Sequence, residues 1–319
     1  TPRREVPGHP PSAIPAGIGR EDKEDTMSSD DTPKTQRIAK VIAWAGRASR
    51  REAERMVEDG LVTVNGETVY HPGHPVDRST DVIAIEGERL PPPPPPLYYV
   101  AFKPRGLLTT RTDPEGRRTV QELVEHIPHR LEPVGRLDMD TEGVLLFTND
   151  GELTHGLLHP SNAVPRRYLA KVWKRPDARK MARIQRGVRL DDGPTGPCKA
   201  RVVEETDTGN CWIEITVTEG RNRLIRRLFE SIGHPVSKLR RESFGTVALR
   251  GLERGQVRPL TGDEVQRLRD IVGGTDPKLA GHKGKYRPGF ARPKPKPNRP
   301  LSKKRRAKAA RRGGHRRND

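Results

Sequence analysis

Apolar positions along the chain fall into two patterned blocks, divided by a run of prolines and flanked by unpatterned sequence. In the first block Ile38, Val41, Ile42 and Ala45 recur at three- and four-residue spacing, which predicts one face of a helix that Gly46 ends. Ser49-Arg50-Arg51-Glu52 has the form of a capping box and starts a second helix, with Ala53, Met56 and Val57 inward and Gly60 at its end. Leu61-Val62-Thr63-Val64 then alternates as a strand, and Asn65-Gly66 predicts a tight hairpin. Pro91 to Pro96 is unbroken. Such a run is an extended spacer of about 3.1 Å per residue, roughly 19 Å in all. In the second block short apolar runs and alternations predict strands at residues 97–102, 144–147, 168–173, 199–203 and 211–217. Helical spacing predicts helices at 119–126, 152–158, 178–186 and 222–232. Strands interleaved with helices argue for an α+β domain with a mainly antiparallel mixed sheet and flanking helices. The organisation expected is a small domain at 35–90, a proline linker at 91–96 and a larger domain at 97–270. Residues 1–34 and 271–319 lack periodicity and are expected to be disordered.

Composition supports unfolded flanks. Only 31% of the 319 residues are hydrophobic, and the mean hydropathy is −0.84. No apolar run approaches the roughly 20 residues that cross a bilayer, so no membrane partner is expected. Cys198 and Cys211 are not in metal-ligand spacing and are expected to be thiols in a reducing cytoplasm. The net charge of +19 is concentrated at one end. Residues 277–319 hold 17 Lys and Arg against the single acid Asp319, a net of +16, which leaves +3 for all that precedes them. A basic arm of that density suits a polyanion, usually nucleic acid. Arg47, Arg51 and Arg55 stand four apart and are expected to share one helical face that could grip phosphates, although a plain solvated face has the same spacing.

The stretch with most chemistry is Val134-Gly135-Arg136-Leu137-Asp138-Met139-Asp140-Thr141-Glu142-Gly143, followed by the apolar Val144 to Phe147 and by Thr148-Asn149-Asp150-Gly151. It reads as a loop, a buried strand and a turn, with Arg136, Asp138, Asp140 and Glu142 crowded ahead of the strand. His155 and His159 stand four apart, as zinc ligands can. Gly156 occupies the position where a metalloprotease helix carries Glu, so a solvated face is the expectation there.

Gly-Arg-Leu-Asp, then Thr-x-Gly, an apolar triplet and Thr-Asn-Asp-Gly resembles the catalytic motif of the RsuA/RluB-type pseudouridine synthases. Ala45-Gly46, Ser49 to Ala53 and Gly60-x-Val62-x-Val64-Asn65-Gly66 resembles the S4-type RNA-binding domain, which precedes the catalytic domain in those enzymes. The resemblance implies isomerisation of uridine to pseudouridine in rRNA, with no cofactor and no metal, by a monomeric cytoplasmic protein. Asp138 matches the family's catalytic aspartate, which acts as nucleophile at C1′ or as base at the 2′ proton. Tyr168, in Arg166-Arg167-Tyr168-Leu169-Ala170-Lys171-Val172, matches the tyrosine that stacks on the base. Arg226, in Glu219-Gly220-Arg221-Asn222-Arg223-Leu224-Ile225-Arg226-Arg227, matches the basic partner of that aspartate. A guanidinium beside a carboxylate favours its ionised form in a dry cleft. Leu239 resembles the apolar wall of the pocket, and Arg136 is the candidate to brace the stack that a flipped base leaves behind. Arg223 is a candidate substrate contact. Asn222-Arg223 and the basic arm favour the RluB-like branch, which acts on large-subunit rRNA. RsuA-like action on small-subunit rRNA is the near alternative. A non-catalytic RNA-binding assembly factor is the rival from another class.

Overall fold

The computed structural model describes residues 35–275. The expected disorder of residues 1–34, and of the basic tail from residue 276 on, lies outside the described residues. In the first domain helix α1 (Ile38–Trp44) and helix α2 (Arg50–Glu58) pack on a small sheet. Ser49 accepts from the Glu52 amide while Glu52 accepts from the Ser49 amide, so the capping box is closed on both sides. Strands β1 (Val62–Val64) and β2 (Glu67–Thr68) form the hairpin. Asn65 and Gly66 both take positive φ, as that turn requires. Strand β3 (Ile83–Ile85) pairs with β1, and β4 (Glu88–Arg89) pairs with β3. Ile38, Ile42, Ala53, Val57, Val62 and Ile85 form the core between the layers.

The proline run ends on the second domain. Asn149 donates to the Pro95 carbonyl oxygen at 2.8 Å and accepts from the Leu97 amide at 2.7 Å. Lys40 on α1 also reaches Glu152 at 3.2 Å.

The second domain is built on a nine-stranded sheet. Its main strands are β5 (Tyr98–Lys103), β6 (Thr141–Thr148), β7 (Arg166–Val172), β8 (Lys199–Glu205), β9 (Cys211–Val217), β10 (Val236–Phe244) and β11 (Val257–Pro259). They run side by side in the order β8-β9-β7-β10-β6-β5-β11. Glu132–Pro133 pairs with β6 and Val247–Ala248 with β10. Every pairing along the main path is antiparallel except β10 with β6, which is parallel over three positions, Leu239↔Thr141, Arg240↔Glu142 and Arg241↔Gly143. That short joint links the two halves of the sheet. Gly143 is required there. Its φ is +118°, and a Cβ would sit 2.2 Å from the Arg241 carbonyl oxygen.

Helices α3 (Gly151–Leu158) and α6 (Gly262–Gly273) pack together and cover one core, with Leu153, Leu157, Val144 and Leu268 inside it. Gly156 is the point of closest approach, since a Cβ would meet Val272 at 2.3 Å. Helices α4 (Ala178–Arg186) and α5 (Leu224–Glu230) flank a second core with Ile184, Ile213, Ile215 and Phe229. A third core joins Ala101, Leu145 and Phe147 to Leu107, Val120 and Leu131.

Four expectations need correction. Residues 119–126 form only the 3-10 turn Val120–Leu123, which ends where Val124 leaves helical angles at φ −124° and ψ 6°. Helix α5 starts two residues later than expected, since Arg223 takes left-handed angles at φ 47°. Strand β10, the middle of the sheet, has no alternating signature. Charged Lys238, Arg240, Arg241 and Glu242 crowd it, and Arg241 is buried. Helix α6 runs past residue 270, with Ile271 in the core, and opens with a capping box, Thr261 to Glu264.

Candidate active site

The loop carrying Asp138 leads into β6 at the parallel joint, and its backbone is held from one side. Lys103, the last residue of β5, is fully buried. Its ammonium donates to the carbonyl oxygens of Pro104 at 3.0 Å, Asp138 at 3.1 Å, Met139 at 3.4 Å and Thr141 at 3.0 Å. Gly106 donates its amide to the Met139 carbonyl oxygen, and Thr109 both donates to and accepts from the backbone of Leu137. Burial lowers the Lys103 ammonium to about 8, and the nearby acids Asp138 and Asp140 oppose that shift. The result is an Asp138 backbone fixed before any substrate arrives.

Side chains facing this loop come from the start of α5. Arg226 forms an ion pair with Asp140 Oδ2 at 2.7 Å and donates to the carbonyl oxygens of Val236 at 3.0 Å and Asp140 at 3.5 Å. Its Nε is buried without an acceptor, 4.0 Å from Asp138 Oδ2. Arg223 stands 3.8 Å from Asp138 and 3.9 Å from Asp140. These distances to Asp138 are within ion-pair range but too long for hydrogen bonds. The two acids therefore divide the work. Asp140 anchors Arg226, while the Asp138 carboxylate sits in a field of two guanidiniums and accepts no hydrogen bond from the described residues. Burial pulls the Arg226 guanidinium below its ordinary range, and Asp140 offsets part of that.

Asp138, Arg136, Tyr168, Arg223 and Leu239 all line one cleft of about 1080 Å³. Arg226 meets the acids from behind that lining. Tyr168 lies opposite Arg241 in the β7–β10 register, and Arg241 lies opposite Gly143 across the joint, so the three form a row across the sheet. Arg241 donates to the Val144 carbonyl oxygen at 2.7 Å. Arg166 donates to the carbonyl oxygens of Val164, Thr218 and Leu157, and burial lowers it to about 10. Both guanidiniums sit about 5 Å from the Phe244 ring. Neither has a carboxylate partner among the described residues. The cleft thus couples one free carboxylate, an aromatic ring and an excess of buried positive charge, a combination suited to a phosphate-bearing ring substrate.

A family model for RNA pseudouridylate synthase matches residues 97–231, and one for the S4 domain matches residues 36–83. The ribosomal large subunit pseudouridine synthase B of Bacillus subtilis (strain 168) is 43% identical over 238 residues, which are 74% of this chain and 97% of that protein. The chain belongs to the RsuA/RluB family of RNA pseudouridine synthases. The Haemophilus influenzae protein of the same name is 38% identical, over 77% of this chain and 71% of its own length. A crystal structure of a pseudouridylate synthase superposes with a TM-score of 0.53 at 29% identity, covering 73% of this chain and 99% of that one.

In this pseudouridine synthase the S4 arginines lie apart from the cleft lining. Arg51 and Arg55 share a face of α2 and are exposed. Arg47 does not join them. The cap at Ser49 starts the helix after it, and Arg47 pairs with Glu88 on β4. Glu142 belongs to β6 rather than to the loop and pairs with Arg254 at 2.9 Å. Residue pattern alone does not single out Lys103 or Asp140 as working residues. The Lys103-Pro104 turn right after a strand was the available signal for the first. Nothing in the spacing separated Asp140 from its neighbours. The His155 and His159 rings lie 5.4 Å apart between centroids, tilted by 43°, and no group of three or more metal-ligating side chains occurs among the described residues. No described helix is long and apolar enough to cross a membrane.

Proposed function

We propose that this enzyme isomerises a uridine of large-subunit rRNA, with Asp138 as the reacting carboxylate. The observation that carries the reading is the division of labour between two acids. Asp140 takes the short contact from Arg226, while Asp138 faces the cleft within ion-pair range of two arginines and, among the described residues, free of hydrogen bonds. A carboxylate in that condition keeps the lone pairs that a nucleophile or base needs.

The reaction breaks the bond from C1′ to N1, leaves the electron pair on the base, turns the base, and joins C1′ to C5. The hydrogen at C5 is lost and N1 gains one, so the isomer balances. Asp138 either adds to C1′ or removes the 2′ proton. Tyr168 supplies the flat wall for the base, Leu239 the apolar wall, and Arg136 at the mouth braces the emptied stack. Base flipping costs a few kcal/mol, which the buried cations of the cleft floor repay by attracting phosphate. The S4 domain places Arg51 and Arg55 on RNA outside the cleft. The protein acts as a monomer in the cytoplasm. Large-subunit rRNA is favoured by the 43% identity to the B. subtilis protein named for that subunit.

Release of tritium from rRNA uridine labelled at C5 tests this. Asp138→Asn should lower the single-turnover rate by about 10³-fold or more and leave RNA affinity within a few-fold. Retained isomerisation in that variant would sink the assignment. Labelled large- and small-subunit rRNA, assayed separately, decide the substrate.

A further inference from the structure

Four arginines crowd residues 221–227, and the structure sorts them into two pairs. Arg223 and Arg226 face Asp138 and Asp140. Arg221 and Arg227 both bind one carboxylate, Asp192, and Arg221, on the cleft wall, also stands 3.6 Å from Glu219. Arg221 donates to Asp192 from Nε at 3.2 Å and from Nη2 at 2.7 Å. Arg227 donates to it from Nη1 at 3.0 Å and also from Nη2. Two guanidiniums thus share one acid in bidentate fashion.

Asp192 is placed to do this by the local fold. Arg189–Leu190 pairs with Gly193–Pro194, which leaves Asp191 and Asp192 as the two-residue tip of a hairpin. The hairpin base is held by buried Thr195, whose hydroxyl accepts from the Val188 amide and whose amide donates to the Val188 carbonyl oxygen. Arg221 adds hydrogen bonds to the carbonyl oxygens of Gly193 and Pro194 at the same tip. The segment that Asp192 grips needs such support. Helix α5 has seven residues, and its N-cap Arg223 sits in left-handed backbone with no side-chain cap. A helix that short, uncapped, is marginal by itself. The grip falls on both sides of Arg223 and Arg226, at residues 221 and 227. Arg227 and Arg221 also hold Asp192 down at about 2, so the staple stays charged at any working pH.

We infer that Asp192 is a positioning residue. By binding Arg221 and Arg227 it fixes the turn that presents Arg223 and Arg226 to the two acids, and it ties the other two arginines, Arg221 of the cleft wall among them, to a carboxylate of its own. This rests on the catalytic reading of Asp138. Without Asp192, four guanidiniums compete for Asp138, Asp140 and substrate phosphate.

The test is Asp192→Asn in the full chain, with protein-free total rRNA as substrate. The single-turnover rate should fall about 10- to 100-fold, as expected for misplacement of about 1 Å. RNA affinity should hold or rise, with a salt slope steeper by about one because freed arginines reach phosphate. In an Arg226→Gln background Asp192→Asn should cost less than about two-fold more, since coupled residues are non-additive. Asp192 is half exposed at a hairpin tip, and the reciprocal variant Arg221→Gln with Arg227→Gln provides a second route. It should show the same loss of rate with no gain in salt slope. A wild-type rate in Asp192→Asn, or a loss of rate matched by an equal loss of RNA affinity, overturns the inference. Activity surviving in Asp138→Asn would instead overturn the catalytic reading, whatever Asp192 does.

Discussion

The two walls of the cleft are held by different physics. On the aspartate side the backbone itself is fixed. Lys103, wholly buried, gathers four carbonyl oxygens, and Gly143 lets β6 approach β10 more closely than any side chain permits. On the arginine side the backbone is a short helix, and side chains restrain it through Asp192, which is about half exposed. Buried contacts are little affected by salt, whereas exposed charge pairs are screened. The difference teaches that the Asp138 loop is presented as a fixed point, while the arginines facing it are held by a restraint that solvent can reach.

The sharpest way to break that contrast is Gly143→Ala. A Cβ 2.2 Å from the Arg241 carbonyl oxygen forces the parallel joint apart. A loss of about 4 kcal/mol or more in unfolding free energy is expected, read by chemical denaturation. Normal stability would show that the joint is soft. Next comes Arg226→Gln, which removes the guanidinium behind both acids. Stability should fall by about 2 kcal/mol as Asp140 loses its partner, and the single-turnover rate by about 10²-fold. A rate within two-fold of wild type would show that Arg223 alone suffices.

The smallest effect is with pH. Burial holds Lys103 at about 8, against 10.5 for an ordinary lysine. Between those values the unfolded chain binds the extra proton, so this group's contribution to stability rises with pH through the window. The clamp does the reverse, because a neutral amine has lost its charge and one donor. The chemical step should therefore decline a few-fold as pH rises through about 8 while the fold, followed by circular dichroism, persists. A flat profile to pH 9 would show that the loop holds its shape without the ammonium.

Much of this was legible from residue order. The capping box at Ser49, the Asn65-Gly66 hairpin and helix α4 are written in local chemistry, and each element formed where its residues placed it. The cleft was legible only through motif: Asp138, Tyr168 and Leu239 come from three strands or loops that no local spacing connects, and the structure lines one cavity with them. What escaped was set by tertiary contact. Strand β10 conceals its burial because a charged Arg241 is buried in it, against a carbonyl oxygen and an aromatic face and with Nη2 left without a hydrogen-bond partner among the described residues, so no alternation remains to be read. Lys103 is hidden for the same reason, as its partners are backbone atoms distant in sequence. Helix α6 is a different case, because Thr261 to Glu264 and Val265, Leu268 and Ile271 carried its signature openly.

The proline run deserves a mechanical reading. Six consecutive rigid residues make a strut, and its far end is bolted at Asn149 through Pro95 and Leu97. Asn149 directly follows β6, whose opposite end is Thr141, the neighbour of Asp140. The joint between the two domains is thus anchored beside one end of the strand whose other end leads out of the Asp138 loop.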